Sequence, residues 1–550
     1  MQESRQAIWH AETSGAALRD VTIAQLLTEQ VQTRPDAPAF SFHDGETVIR
    51  WSYSELQVKV YHLAKGLVAM GVAPGERIGV LSANCPEWLL LEYALGTIGA
   101  VLVTLNPALK SEEIGYIVRQ GRLSGLFTAR EYRGFALGKA AAEITADRSA
   151  NPDFRFLVEL GSSQYDEILV NGGRVNNKLL AVRSEAVKPG DVFQIQYTSG
   201  TTGRPKGAML THRSTINNAA LMSRRAGFGP DDVLVSAMPL FHTAGCVCNA
   251  LGMLTVGGHF AAVPGFDAGQ MLDLVEREKA TVINAVPTMW QRMLEDERLK
   301  SGTRDLTSLR TAFTGGTSIP PSLMRALKQT LGADPMLIMG MTECSPIITQ
   351  TDPGDDFETK ITTAGTPLPH TEIRVVDPES GAPVAFGEAG ELLIRGYLVT
   401  TGYFDMPEQT AEAFDADGWF RSGDLAVLSE AGYLRIVGRI KDMLIRGGEN
   451  VYPVEIEDFL LTHPGIAEAQ VVGVPDSELG EEIFAFVVAK PDARIAPDAV
   501  QDFCRAGIAR HKLPRYVECV DSLPMTANGK IRKFELRRIA AQIVENQGAA

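Results

Sequence analysis

The chain has 550 residues, of which 45% are hydrophobic, enough to bury a large core and to exclude disorder as the ground state. Its net charge of −15 argues against a nucleic-acid partner, whose phosphates require a basic face, while leaving room for a nucleotide held by locally concentrated cations. Six scattered cysteines (85, 246, 248, 344, 504 and 519) lack the paired spacing of a zinc site, so Cys246 and Cys248 read as core packing and the chain as suited to a reducing cytoplasm.

Residues 1–5 show no apolar signal segment. The most apolar region, 88–105, contains Glu92 and two glycines and predicts a buried helix running into a buried strand rather than a membrane span. Strand-like runs at 77–82, 100–105, 281–286 and 309–313 alternate with helical stretches at 87–98, 288–294 and 321–330, the pattern of an α/β protein. From about 371 the texture changes to closely spaced strands and turns (372–376, 390–395 and 433–437), which predicts a β-rich subdomain. Past Arg439 a smaller α+β unit begins, with helices at 454–461 and 499–508, strands at 466–474 and 482–489, and a terminal helix. The expected fold is therefore a large α/β domain at 1–438, including the subdomain at 371–438, followed by a small α+β domain at 442–550.

Residues 197–207, Tyr-Thr-Ser-Gly-Thr-Thr-Gly-Arg-Pro-Lys-Gly, combine three glycines, four hydroxyl side chains besides the tyrosine, and two cations. Glycine lets a ligand approach backbone N–H groups closely, and hydroxyls and N–H groups donate to phosphate oxygens while a cation offsets their charge. Residues 192–197 alternate like a half-buried strand, and a polar stretch that could be helical follows 208–212, so the expected local order is strand, glycine loop, helix. The spacing matches neither a Walker A loop nor a Rossmann fingerprint.

That loop resembles the phosphate loop of the adenylate-forming enzymes: acyl-CoA synthetases, luciferases and peptide-synthetase adenylation domains. The resemblance assigns ATP contacts to Thr198, Ser199, Gly200, Thr201, Thr202, Gly203 and Lys206. Met339-Gly340-Met341-Thr342-Glu343 resembles the segment that closes on the nucleotide, where the glutamate carries Mg2+ and Thr342 shares in catalysis; Met339 stands where an aromatic residue usually stacks on adenine. The run at 419–424 resembles the ribose motif through Asp424, and 438–442 supplies a ribose-contacting Arg439 and a hinge residue, Lys441, which places the hinge at 439–441. Gly447 and Gly448 fall where the family lets coenzyme A pass close to backbone, and Lys530, in the turn at 524–531, matches the catalytic lysine.

The resemblance implies a mobile C-terminal domain and two steps, in which a carboxylate and ATP form an acyl-adenylate and a thiol then displaces AMP. Lys206, Thr342, Glu343 and Lys530 are the catalytic set it implies. His242, within 239–245, borders the acyl pocket where amino-acid-activating relatives carry an aspartate, and Gly315 and Gly316 leave space beside the adenylate. The runs at 369–372, 395–397 and 441–450 look most like medium-chain fatty acyl-CoA synthetases. Two alternatives stay open: a ligase that loads a carrier-protein thiol or activates an aromatic or bulky carboxylate, and a non-catalytic binding protein on the same fold. Small-molecule acid, ATP, Mg2+ and coenzyme A are the implied ligands, with either a monomer or a homodimer.

Overall fold

Runs of Val, Ile and Leu bounded by turn residues become the buried strands of two large sheets. The structure, a computed structural model, describes residues 6–10, 17–45, 47–198, 204–316, 319–447, 449–476, 478–490, 493–525 and 531–548. The first large sheet has six strands in the order Phe156–Glu159, Gly125–Thr128, Arg77–Leu81, Val101–Leu105, Val192–Thr198 and Lys206–Thr211. Its first five strands run parallel, and Lys206–Thr211 closes it antiparallel. The second has nine strands, with Val233–Ser236, Val282–Asn284, Thr311–Gly315 and Asp334–Gly340 as its parallel centre.

The expected buried helix is Pro86–Thr97, with Glu92 fully buried among its leucines. It leads into the fully buried strand Val101–Leu105, and proline at the first helical position suits a donor that would otherwise go unpaired. Other helices begin with side-chain caps. In Tyr53–Ala69, Ser52 accepts from the Glu55 N–H while Glu55 reaches back to the Ser52 N–H.

A five-stranded antiparallel sheet forms the predicted β-rich unit from Thr371–Val376, Ala389–Gly396, Phe420–Leu428 and Leu434–Arg439. Its remaining edge strand, Ile8–His10, comes from near the N-terminus and was not expected. Three residues are too few for a periodic signal, and Ile8 pairs with Arg374 across 366 positions of sequence.

The last sheet runs Glu449–Val451, Leu444–Arg446, Gly480–Ala489, Ile466–Asp476, with Tyr516–Cys519 parallel beside Gly480–Ala489. Helices Pro453–Leu460, Pro497–Gly507 and Lys533–Gly548 accompany it. Between the last two sheets lies a single 3-10 turn, Ile440–Asp442. No helix among the described residues is long and apolar enough to cross a membrane.

Candidate active site

The segment around the glycine loop departs from the expected strand–loop–helix order. Strand Val192–Thr198 is followed by a second strand, Lys206–Thr211, in antiparallel register with Thr198 opposite Lys206. Helix His212–Arg225 begins only after that strand, capped reciprocally by Thr211 and Ser214. Residues 206–211 extend because Val192–Thr198 offers them an edge to pair with, and all but Lys206 and Met209 of them are buried there. The loop thus hangs from a β-hairpin, which sets Thr198 and Lys206 side by side at its mouth. Ser199, Gly200, Thr201, Thr202 and Gly203 lie outside the described residues, as do Gly448 and Lys530.

Glu343 arrives from the second sheet. Strand Asp334–Gly340 ends in a kink of register at Met339 and Gly340, where a Cβ on Gly340 would fall 2.0 Å from the Pro346 carbonyl oxygen. The chain then turns through the 3-10 helix Thr342–Cys344, and Met339 and Met341 pack against the core of the β-rich unit. Glu343 is buried, with 7% of its surface exposed, so its carboxylate needs partners. Tyr403 O–H donates to its Oε1 at 3.0 Å, and Thr198 Oγ1 stands 3.4 Å from the same oxygen. The Lys206 ammonium lies 5.0 Å from the centroid of the Tyr403 ring, a cation–π distance. Burial, and then the charge of Glu343, push the Tyr403 hydroxyl well above its ordinary pKa, so it remains a donor.

Tyr403 escaped the sequence reading because the stretch 400–403 carries no motif of its own. Only tertiary pairing reveals it: Met209 N–H donates to the Gly402 carbonyl at 3.0 Å, and Phe404 N–H to that of Gly207 at 2.8 Å. These bonds hang the stretch on the loop's second strand. Thr400 N–H also donates to the Glu343 carbonyl at 2.7 Å.

Asp424 and Arg439 face each other across two neighbouring strands, with Arg439 Nε 2.9 Å from Asp424 Oδ1. Asp424 follows a glycine at φ +70°, and its N–H donates to Ser422 Oγ at 3.0 Å, which fixes the turn. Both Glu343 and Asp424 flank Cys344, whose thiol is pushed well up by burial first and by those two carboxylates next. The residues expected on the phosphate side and on the ribose side therefore share one neighbourhood. Lys441 sits in the 3-10 turn two residues on, and burial, reinforced by Arg439, lowers its pKa. Arg537 of the terminal helix bonds the Lys441 carbonyl at 3.3 Å and Asp442 at 2.6 Å.

His242 opens the π-helix Ala244–Leu251, and the Ala244 N–H donates to its Nδ1 at 3.2 Å. π-Helical turns are rare and tend to mark functional sites. Within that helix Cys246, fully buried, meets Gln194 and Gln196 at 3.5 Å, and Gln194 in turn donates to Glu92 at 2.6 Å. The π-helix is thereby tied to the strand that leads to Thr198. Cys248 is buried as well, in keeping with core packing.

Gly315 and Gly316 differ from each other. A Cβ on Gly315 would lie 2.4 Å from the Ile338 carbonyl oxygen, so close strand packing already requires glycine there. Gly316, at φ +88°, has no described neighbour nearer than 3.9 Å to such an atom, which leaves space among the described residues beside Met339's strand. In the last sheet Gly447 turns at φ +60° and its N–H donates to the Leu479 carbonyl. The turn expected to carry Lys530 is bracketed by an antiparallel bridge between Met525 and Ile531.

Residues 27–404 match the AMP-binding enzyme family, and residues 455–530 match the AMP-binding enzyme C-terminal domain. The chain belongs to the AMP-binding enzymes. It is 38% identical to the putative acyl-CoA synthetase YngI of Bacillus subtilis, across 95% of this chain and 97% of that one. It is 34% identical to the mitochondrial medium-chain acyl-CoA ligase ACSF2 of Mus musculus, across 94% and 88% of the two chains. Its fold is similar to ATP-bound MatB from Rhodopseudomonas palustris, with a TM-score of 0.84 at 30% identity, covering 95% of this chain and all of that one. The chain is thus an AMP-forming acid–thiol ligase of the acyl-CoA synthetase kind, with the adenylate-forming fold.

Proposed function

We propose that this ligase activates a medium-chain fatty acid with ATP and passes the acyl group to coenzyme A. The observation that carries the site assignment is the meeting of Glu343, Thr198 and Lys206, from two sheets, at the mouth of the glycine loop. Glu343 and Thr198 offer a hard, all-oxygen donor set, which fits Mg2+, an ion that takes one or two carboxylates together with phosphates and water. Bound there, Mg2+ would supply neutralising charge to the phosphates.

In the first step an oxygen of the acid attacks the α-phosphorus of ATP. The bridge to the β-phosphate breaks, and pyrophosphate leaves with the electron pair. Negative charge spreads over phosphoryl oxygens, so the useful groups are donors already in place: the Thr198 hydroxyl, the Lys206 ammonium and the loop at 199–203. Lys530 would add a second ammonium on the α-phosphate side. Asp424 and Arg439 would exchange part of their mutual ion pair for the ribose hydroxyls.

In the second step the thiol sulfur attacks the acyl carbonyl, the acyl–phosphate bond breaks, AMP leaves and the thiol proton passes to solvent. For this the domain at 442–550 would turn about the segment 439–441, withdrawing Lys530 and bringing Gly447 and Gly448 to the adenylate. The isolated 3-10 turn at Ile440–Asp442 supports that pivot, because a few residues between two sheets can absorb a large φ/ψ change. Six free cysteines support a reducing, cytoplasmic setting.

The medium-chain preference rests on the details at 369–372, 395–397 and 441–450 and on the likeness to ACSF2. ATP–pyrophosphate exchange across straight-chain and aryl acids tests it, followed by coenzyme A and a phosphopantetheinylated carrier protein as competing acceptors. Each methylene buried in the pocket should change kcat/KM by about fourfold, corresponding to about 0.8 kcal/mol, up to a medium-chain optimum. A flat profile, or faster turnover of aryl acids, would overturn the choice of acid, and preference for the carrier would overturn the choice of acceptor.

A further inference from the structure

A cavity beside the phosphate hairpin is not lined by His242, Gly315 or Gly316. It encloses about 440 Å3 and lies against the first sheet, between that sheet and helix Asn177–Ala186. This volume falls within the range of small-molecule sites. Ile98, Ile195, Met209 and Phe404 supply apolar walls, while Arg77 and Arg183 supply positive charge.

Neither arginine forms an ion pair with a described carboxylate. Arg77 spends its donors on the carbonyls of Gly75, Gly121 and Arg122 and lies 5.1 Å from the Phe404 ring centroid. Arg183 donates through Nη2 to the Val72 carbonyl at 2.6 Å, and its Nε is buried against protein, so the edge of the guanidinium left to a ligand is the Nη edge. The one carboxylate in the lining, Asp191, accepts the Lys188 N–H at 2.8 Å. Within the lining two arginines stand against one carboxylate, while Asp153 and Glu76 act on Arg77 from outside it.

We propose that this cavity is a second ligand site, for an amphipathic carboxylate whose tail lies on Ile195 and Met209 and whose head accepts from Arg183. The site shares a wall with the phosphate pocket. Met209 follows Lys206 on the same strand, and Phe404 follows the Tyr403 that holds Glu343. A ligand there leans on the two segments that fix the reactive groups, and so acts as an effector rather than as the acid being activated.

A decanoate carrying a terminal diazirine tests this by irradiation and peptide mapping. The reading expects label in the peptides bearing Ile195 and Met209, undiminished when a non-hydrolysable acyl-adenylate analogue fills the acyl pocket. Arg183→Leu should cut that label about tenfold, the loss of one charge-assisted hydrogen bond. Should that variant fail to fold by circular dichroism, Ala186→Phe, which fills the cavity from the lining helix, should give the same loss. Label confined to other peptides, label competed away by the analogue, or equal label in the variants would overturn the proposal. The readout is occupancy, so it is independent of which acid the enzyme activates.

Discussion

Replacing Tyr403 by phenylalanine removes a single hydroxyl from the wall of the candidate site. The ring remains, and with it the contact to Lys206 at 5.0 Å. What disappears is the 3.0 Å hydrogen bond to Glu343 Oε1, which leaves Thr198 Oγ1 at 3.4 Å as the nearest donor among the described residues, in a pocket where Glu343 is 7% exposed. A hydrogen bond to a charged group contributes about 1.5–3 kcal/mol, and at about 1.4 kcal/mol per factor of ten this predicts a loss of order 10–150-fold. Substitutions that remove the partner of a metal-binding carboxylate commonly weaken metal affinity about 10–100-fold, a consistent scale. The assay is ATP–pyrophosphate exchange titrated with Mg2+ at saturating acid. Half-saturation by Mg2+ should rise by at least about tenfold in Tyr403→Phe, with the maximal rate far less affected. An unchanged half-saturation in a folded variant would refute the reasoning. A decrease would mean that the tyrosine competes with the ion rather than orienting its ligand.

Other outcomes follow from the same structure. Lys530→Ala should abolish adenylation while sparing thioester formation from a supplied acyl-adenylate; equal loss of both half-reactions would remove Lys530 from its assigned step. Lys441→Pro should do the reverse, because a fixed φ restrains the pivot, and normal thioesterification would count against a hinge there. Gly340→Ala should destabilise the fold by about 1–3 kcal/mol or more in urea unfolding, since its Cβ would be driven into the Pro346 carbonyl. His212, buried and stacked 4.6 Å from Phe193, is held near pKa 3 by burial against an ordinary 6.5. The unfolded chain therefore binds the extra proton between those values, so this group's contribution is intact above pH 6.5 and is lost as pH falls toward 3. At pH 5 the loss is about 2 kcal/mol, and His212→Phe should flatten the acid limb of stability by about 1.4 kcal/mol per pH unit. An acid limb of unchanged slope would show that His212 is not the group responsible.

Much of the fold was legible because local pattern and tertiary environment agree. The buried helix Pro86–Thr97 and strand Val101–Leu105 have no polar face to hide, so continuous apolar runs announce them. The change to strands after residue 371 and the helix–strand order of the last domain were readable for the same reason. Where the signal was short or ambiguous, the reading failed. Ile8–His10 is a strand only because Thr371–Val376 offers it an edge, and residues 206–211 extend because Val192–Thr198 lies beside them.

The site divides in the same way. Thr198, Lys206, Glu343, Asp424 and Arg439 could be nominated for the proposed site because phosphate, metal and ribose chemistry demands particular residue types in compact motifs. Their order along the chain already implied an acyl-activating ligase. What a linear chain cannot carry is who faces whom across sheets. Only the tertiary structure brought Tyr403 to Glu343, placed Asp424 against Arg439, and left the Arg183 guanidinium beside an apolar cavity. Each of those contacts joins residues separated in sequence, and hydrogen bonding and burial act on distance in space, which no spacing of motifs records.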